Sequence, residues 1–402
     1  MVRHALIALS SIHLDYVTTD CPDDQNFNQA LTSVETLLQY NKAIRQLRTY
    51  LSSRDRPSIK VALICCALFY CFESNRGNYE SAVAHLRNGL AILRDALAGR
   101  TSEVLARPTE EWPEDLQKLV QFFIRLDLQA TVFHEGRVPM IEFTSYDERI
   151  GAKDIVATDS FRSLHEAQLA LDKIRNHTWR FSSINAAYKH VPAEGLPPHI
   201  VHEKNQLVRQ YKRWTSAIDG LWSQQSGNQA SRESATILKV VHGSAEMFIL
   251  ANFPKDSSIF GASPNERARK IVALIESLRL TDAYRRTYAS EVGIIAPLAM
   301  LGSVCLDPVV MRKALVLLMK SKRREGLLDA QMIVRIGKRV AEARAREGGP
   351  LKAVADTGCE VKDGWTDSPS PEAASPERLD ITPDETCDFD NIAKVYGDEL
   401  RK

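Results

Sequence analysis

At 402 residues the chain is long enough for two ordinary domains, or for one large helical array with a tail, and too long for a single small module. Its 44% hydrophobic and 26% charged residues match a globular protein with a buried core and exclude a fibrous or wholly disordered chain. The net charge of +1 excludes a whole-chain field that would draw nucleic acid or membrane, but it hides a split: from Pro350 onward thirteen Asp and Glu face six Lys and Arg, leaving a mildly basic body and an acidic tail.

The opening stretch VRHALIALSSIHLDYV places Leu6, Leu9, Ile12 or His13, and Tyr16 at helical spacing. This predicts an amphipathic helix and not the apolar run and cleavage site of a secretory leader. After a polar break around Cys21 to Asn28, the set Leu31, Val34, Leu37, Leu38, Ile44, Leu47 and Leu51 predicts a second helix over 29–51. Ser58 is a candidate cap for a third, which carries the longest apolar run, Val61 to Phe72. Those twelve residues fall short of the roughly 20 needed to cross a bilayer, so the run predicts a buried helix, ended by Gly77. Tyr79 to Leu97 is its return partner in an antiparallel hairpin. Further helices are predicted over 113–133, 161–181, 199–222, 232–252, 265–284, 293–304, 308–321 and 327–346. Asp307 before Pro308 is a sharp start signal, an N-cap acceptor followed by proline at the first helical position. No series of alternating β-branched runs with hairpin turns is found. The fold class is all-α: an irregular array of antiparallel helical hairpins over 1–347, with a disordered acidic C-terminal tail over 348–402.

Two segments echo each other, Tyr40, Ala43, Leu47 and Tyr79, Ala82, Leu86, in the manner of the second helix of a tetratricopeptide repeat. Their offset is 39 residues against the about 34 of that repeat, and no third copy follows, so an irregular array is preferred. In the tail, Pro, Ser, Asp and Glu with few aliphatics cannot bury enough surface to offset the entropy of ordering. Near 388–400 acids interleave with Phe389, Ile392 and Tyr396, which predicts a short helix and a candidate partner-binding segment. Ser368, Ser370, Ser375 and Thr382 each precede a proline and are candidate phosphosites.

Catalytic or metal chemistry finds little support. Cys65, Cys66 and Cys71 include no Cys-x-x-Cys pair and no downstream ligand set, so they read as small apolar core residues. His165 and Glu166 begin a metalloprotease-like string, but Leu169 stands where the second histidine belongs. There is no Gly-rich phosphate loop and no Gly-x-Ser-x-Gly turn. No catalytic, cofactor-binding or metal residue is nominated, and the chain reads as a non-enzyme. Seven cysteines without regular spacing predict reduced thiols inside a cell. Lys320, Lys322, Arg323 and Arg324 form the sharpest basic cluster, either a solvated helix end or a patch for nuclear import or an acidic partner.

Three stretches resemble the helical regulatory region that follows the six-cysteine zinc cluster in fungal transcription factors. VRHALIALSSIH is similar to its first helix. YNKAIRQLRTYL and VALICCALFYCFESNRGNYESAVAHLRNGLAIL resemble its central hairpin, with Gly77, Tyr79, Ala82, His85, Leu86 and Gly89 as the recognisable positions. DPVVMRKALVLLMKSKRREGLLDA resembles its closing helix, arginine-rich turn and following helix. The resemblance implies a nuclear transcription regulator, otherwise a cytoplasmic protein, neither secreted nor in a membrane. It would act by binding proteins or a small molecule. The implied partners are the transcription machinery or a DNA-binding protein, with a homodimer as one option. The family's zinc module, Cys-x2-Cys-x6-Cys repeated after a linker, has no counterpart in these residues, so no zinc cofactor and no direct DNA binding are expected of them. The second reading is a tetratricopeptide-like adaptor unrelated to transcription.

Overall fold

The computed structural model describes residues 1–18, 33–52, 58–97, 113–132, 137–144, 149, 153–189, 191–224, 229–253, 264–278, 280–285, 287–304 and 307–346. The chain forms α1 (Val2–Thr18), α2 (Val34–Leu51), α3 (Ile59–Arg76), α4 (Tyr79–Leu97), α5 (Glu114–Val132), α6 (Leu164–Ile184), α7 (Pro198–Gln224) and α8 (Gln229–Asn252). There follow α9 (Pro264–Ser277), the single turn α10 (Asp282–Arg285), α11 (Ile295–Val304), α12 (Pro308–Met319) and α13 (Ala330–Arg346). The expected all-α class holds. The residues singled out in the tail, Phe389, Ile392, Tyr396, Ser368, Ser370, Ser375 and Thr382, lie outside the described residues.

Local chemistry sets most boundaries. The Ser33 and Ser163 hydroxyls accept the Thr36 and Glu166 N–H groups at the starts of α2 and α6, each at 3.1 Å. Asp307 accepts from Val309 at 3.0 Å beside Pro308. Gly77 ends α3 in the left-handed region at φ 80°, and the Asn78 N–H closes back on the Glu73 carbonyl at 2.9 Å. Ser58 stands at the cap of α3, but its side chain makes no capping bond.

Packing then overrides the simplest apolar stripes. On α1 the buried face is Ala5, Ala8, Ile12 and Tyr16, while Leu6 points out. On α2 the buried face is Thr36, Tyr40, Ala43 and Leu47, and Val34 and Leu38 are 76% and 57% exposed. The stripes expected on Leu6, Val34 and Leu38 are corrected accordingly. Small residues win the interior because α1, α2 and α3 approach closely, and Ala5, Ala8 and Ala43 share one core with Cys65, Phe69 and Phe72.

Helix α3 is apolar on every side because it is covered on two. Cys65, Phe69 and Phe72 face α1 and α2, whereas Leu63, Cys66, Tyr70 and Cys71 face α4 and α5. Tyr40 stacks on Phe72 with centroids 4.2 Å apart and bonds His85 Nε2 at 3.0 Å, an aromatic contact of the kind that contributes about 1 kcal/mol beyond area burial. A third core joins α6, α7 and α8 around Trp214, Tyr211 and Phe253. A fourth joins α8 to α9, α11, α12 and α13 around Ile271, Leu301 and Ile333. Helix α8 is long and apolar enough to cross a membrane, but most of its apolar stretch is buried in these two cores.

Two expected helices are shorter than their apolar periods. The helix predicted over 265–284 breaks at Leu278, and Thr281 Oγ1 starts α10 by accepting the Tyr284 N–H at 3.1 Å. The helix predicted over 327–346 starts at Ala330, because the preceding residues enter a small sheet that the sequence did not signal. Its strands are β1 (Tyr288–Ala289), β2 (Arg324–Glu325) and β3 (Leu328–Asp329). β2 lies parallel to β1, with Tyr288 opposite Arg324, and antiparallel to β3, with Glu325 opposite Leu328.

Candidate functional site: the buried arginine turn

The turn between α12 and α13, residues 320–329, is where distant parts of the chain meet. Lys320 and Lys322 are exposed, but Arg323 and Arg324 are buried, Arg324 to 5% exposure. The four basic residues therefore do not form one solvated patch. The expectation of a single import or docking surface is corrected, because Arg324, in the two-residue strand β2, and Arg323 just before it are both buried.

Each buried guanidinium is satisfied by a carboxylate of the same turn and by a carbonyl from a distant element. Arg324 Nε donates to Asp329 Oδ2 at 2.6 Å and Nη1 donates to the Asn75 carbonyl at 2.6 Å, while the group lies 5.4 Å from the Tyr16 ring centroid. Tyr16 itself donates to the Lys322 carbonyl. Arg323 Nε donates to Glu325 Oε1 at 2.8 Å and Nη1 to the Tyr284 carbonyl at 3.1 Å, with the guanidinium 3.9 Å over the Tyr284 ring. Burial, with the Glu325 charge adding to it, pushes the Tyr284 phenol up to about 12.

Glu325 is fully buried and caps a helix from outside it. Its carboxylate accepts the N–H groups of Gly293, Ile294 and Ile295 at 2.7, 3.0 and 3.1 Å, where α11 leaves donors unpaired. Asp329 does the same for α13, accepting from Gln331 and Met332 at 2.9 and 3.0 Å. Gly326 between them adopts φ 57°, and a Cβ there would stand 2.1 Å from Gln129 Oε1 and 2.7 Å from the Tyr70 hydroxyl. Gln129 Nε2 donates to the Glu325 carbonyl at 2.7 Å. The arrangement balances two cations against two carboxylates and locks α1, α3 and α5 to the last two helices. Such a network adds little net stability over an apolar core, but each member is satisfied only when all these elements assemble.

A second buried polar cluster ties α5 and α6 to the loop before α11. Arg125 Nη2 pairs with Glu291 Oε1 at 2.7 Å, and its Nη1 and Arg175 Nη1 each lie 3.5 Å from an Asp172 oxygen. Burial pushes the Asp172 carboxyl up to about 6, against the pull of Arg175 and Arg125. Sequence reading missed this cluster. The only signal was Asp172 and Arg175 at i, i+3 on α6, a spacing usual on solvated faces.

The cysteines, the His165-Glu166 pair and the sequon at Asn176 resolve simply. Burial pushes the Cys66 thiol up to about 12 and the Cys71 thiol up to about 11, as core cysteines require. Glu166 accepts the Arg162 N–H at 2.7 Å while its own N–H bonds Ser163, so the His165-Glu166 pair belongs to a helix start. Asn176, in an Asn-x-Thr sequon, is buried with its amide bonded to Phe143 and Ile141, where no glycan fits. Among the described residues no three metal-ligating side chains converge.

What decides the identity of this scaffold is its sequence profile: residues 1–334 match the fungal specific transcription factor domain. The chain belongs to that family. This fungal specific transcription factor domain is 26% identical over 306 residues to the aspercryptin biosynthesis cluster-specific transcription regulator of Emericella nidulans, covering 72% of the chain and 47% of the relative. It is 22% identical over 294 residues to the transcription regulator lscL of Purpureocillium lilacinum, covering 68% of the chain and 67% of the relative. The domain thus spans about half the length of the first of these relatives. No solved structure matches it. Membership makes the chain part of a transcription-regulator family and not an enzyme, as expected from the sequence.

Proposed function

We propose that this chain regulates transcription in the nucleus through contacts with other proteins, without binding zinc or reading DNA with the residues given. The family match carries the proposal, since it covers the helical body from α1 into α13. Physical support comes from the buried arginine turn. The charged groups there are consumed in holding helices together, which suits a scaffold that presents surfaces and performs no reaction. The name of one relative makes a biosynthetic gene cluster the class of target we favour. The acidic segment around Phe389, Ile392 and Tyr396 is the partner-binding element in this reading, and phosphorylation at Ser368, Ser370, Ser375 or Thr382 would add to its charge. Lys320 and Lys322 remain available to an acidic partner.

The test is a reporter driven by the full chain fused to a heterologous DNA-binding module. A change in output with the whole chain, lost on deleting 350–402, is the expected result. Output equal to that of the DNA-binding module alone would overturn the proposal and favour the adaptor reading.

A further inference from the structure

We propose that the outer face of α1 and α2 is the docking site for the chain's own acidic, aromatic segment Asp384 to Tyr396, bound within the same molecule. The inference goes beyond the regulatory reading and stands or falls independently of it.

The two helices run antiparallel. The Met1 amine bonds Gln46 Oε1 at 2.5 Å, His4 Nδ1 meets Gln39 Oε1 at 2.7 Å, and Ser11 meets Thr36 at 2.7 Å. This pairing brings Leu14 to the Val34 end and Arg3 to the Arg45 and Arg48 end. The outer face is therefore polarised. At one end Leu14, Val34 and Leu38 are solvent-facing apolar side chains, with Leu14 61% exposed and Ile7 beside it on the same line of α1. At the other end Arg3, Lys42, Arg45 and Arg48 are exposed, and no carboxylate among the described residues pairs with any of them. The interior of both helices is already filled by Ala5, Ala8, Ile12, Tyr40, Ala43 and Leu47, so these apolar groups serve no core.

The segment matches this face in order and in charge. Asp384, Glu385 and Asp388 come first, and Phe389, Ile392 and Tyr396 follow at i, i+3 and i+7, one face of a helix two turns long. Laid along α2, its acids meet Arg45 and Arg48 while its apolar residues meet Leu38, Val34 and Leu14. Reach is sufficient. The 37 residues between Arg346 and Asp384 span roughly 30 Å even as a random coil, against a radius of gyration of roughly 20 Å for a body this size. A bound segment would be withheld from partners, and the tethered geometry gives docking a high effective concentration.

The experiment uses the full chain with the photo-crosslinker benzoylphenylalanine in place of Phe389. The expected product is an intramolecular crosslink mapped by mass spectrometry to residues 1–18 or 33–51. Arg45→Glu lowers its yield roughly fivefold. Adding Asp388→Arg to Arg45→Glu restores it, and Leu38→Asp removes it. Leu38 and Arg45 lie outside the core, and unchanged helicity and Tm confirm that the body is intact. A principal crosslink to the exposed Val309 and Val316 face of α12, crosslinks only between chains, no crosslink, or a yield indifferent to Arg45→Glu would each overturn the proposal.

Discussion

Arg324 Nη1 donates to the carbonyl of Asn75 at 2.6 Å, joining residues 249 apart in the chain. With Asp329 on its other side, the guanidinium has no solvent to fall back on. Replacing Arg324 by Ala leaves Asp329 half-paired and the Asn75 carbonyl unsatisfied in a dry site, a loss of about 3–5 kcal/mol in denaturant unfolding. The neighbouring Lys322→Ala is expected to cost about 0.5 kcal/mol or less, because the bonds at this position are made by its backbone, the N–H donating to the Arg285 carbonyl and the carbonyl accepting from Tyr16. Similar costs for the two would contradict the burial described for Arg324.

Two glycines with positive φ separate backbone conformation from crowding. Gly77→Ala meets only the left-handed conformation at φ 80°, a cost of about 1 kcal/mol. At Gly326 the same conformational cost is joined by overlap with Gln129 and Tyr70, for a total of about 2–4 kcal/mol. Urea midpoints of the two variants rank them. Should Gly77→Ala prove the more damaging, the packing of the turn against α5 is wrong.

Asp172 gives the fold a pH dependence of unusual sign. Its carboxyl titrates at about 6 when folded, above the ordinary value of about 4, so between these limits the folded state holds more protons than the unfolded one. Stability therefore falls as pH rises from about 4 to 6, by at most about 1.4 kcal/mol per pH unit from this group, and levels off above it. Asp172→Asn removes that contribution while keeping the side chain's shape. Thermal unfolding of both proteins across this window tests it: a stability difference that does not vary with pH would show that Arg125 and Arg175 hold the carboxylate charged.

Much of the architecture was legible because it is written locally. Asp307-Pro308 and Gly77 set helix ends through hydrogen bonds to residues no more than a few positions away, and Tyr79–Leu97 falls where its periodicity places it. The family, too, is carried by sequence. The turn at 320–329 stood out as a cluster of positive charge, but nothing near it in the chain says that two of its four cations are buried.

That outcome belongs to tertiary structure, as does the choice of inner face on α1 and α2. Val34 and Leu38 are apolar and face water, while Ala43 and Tyr40 face inward, because the separation between α1, α2 and α3 rewards small and stacking side chains over the longest aliphatic stripe. Arg323 and Arg324 can leave water only because Tyr284 and Asn75, from two distant parts of the chain, converge on them beside Glu325 and Asp329 of their own turn. Helix ends depend on neighbours along the chain and could be read from it, whereas desolvation depends on neighbours in space, which the helices fix only once they have packed.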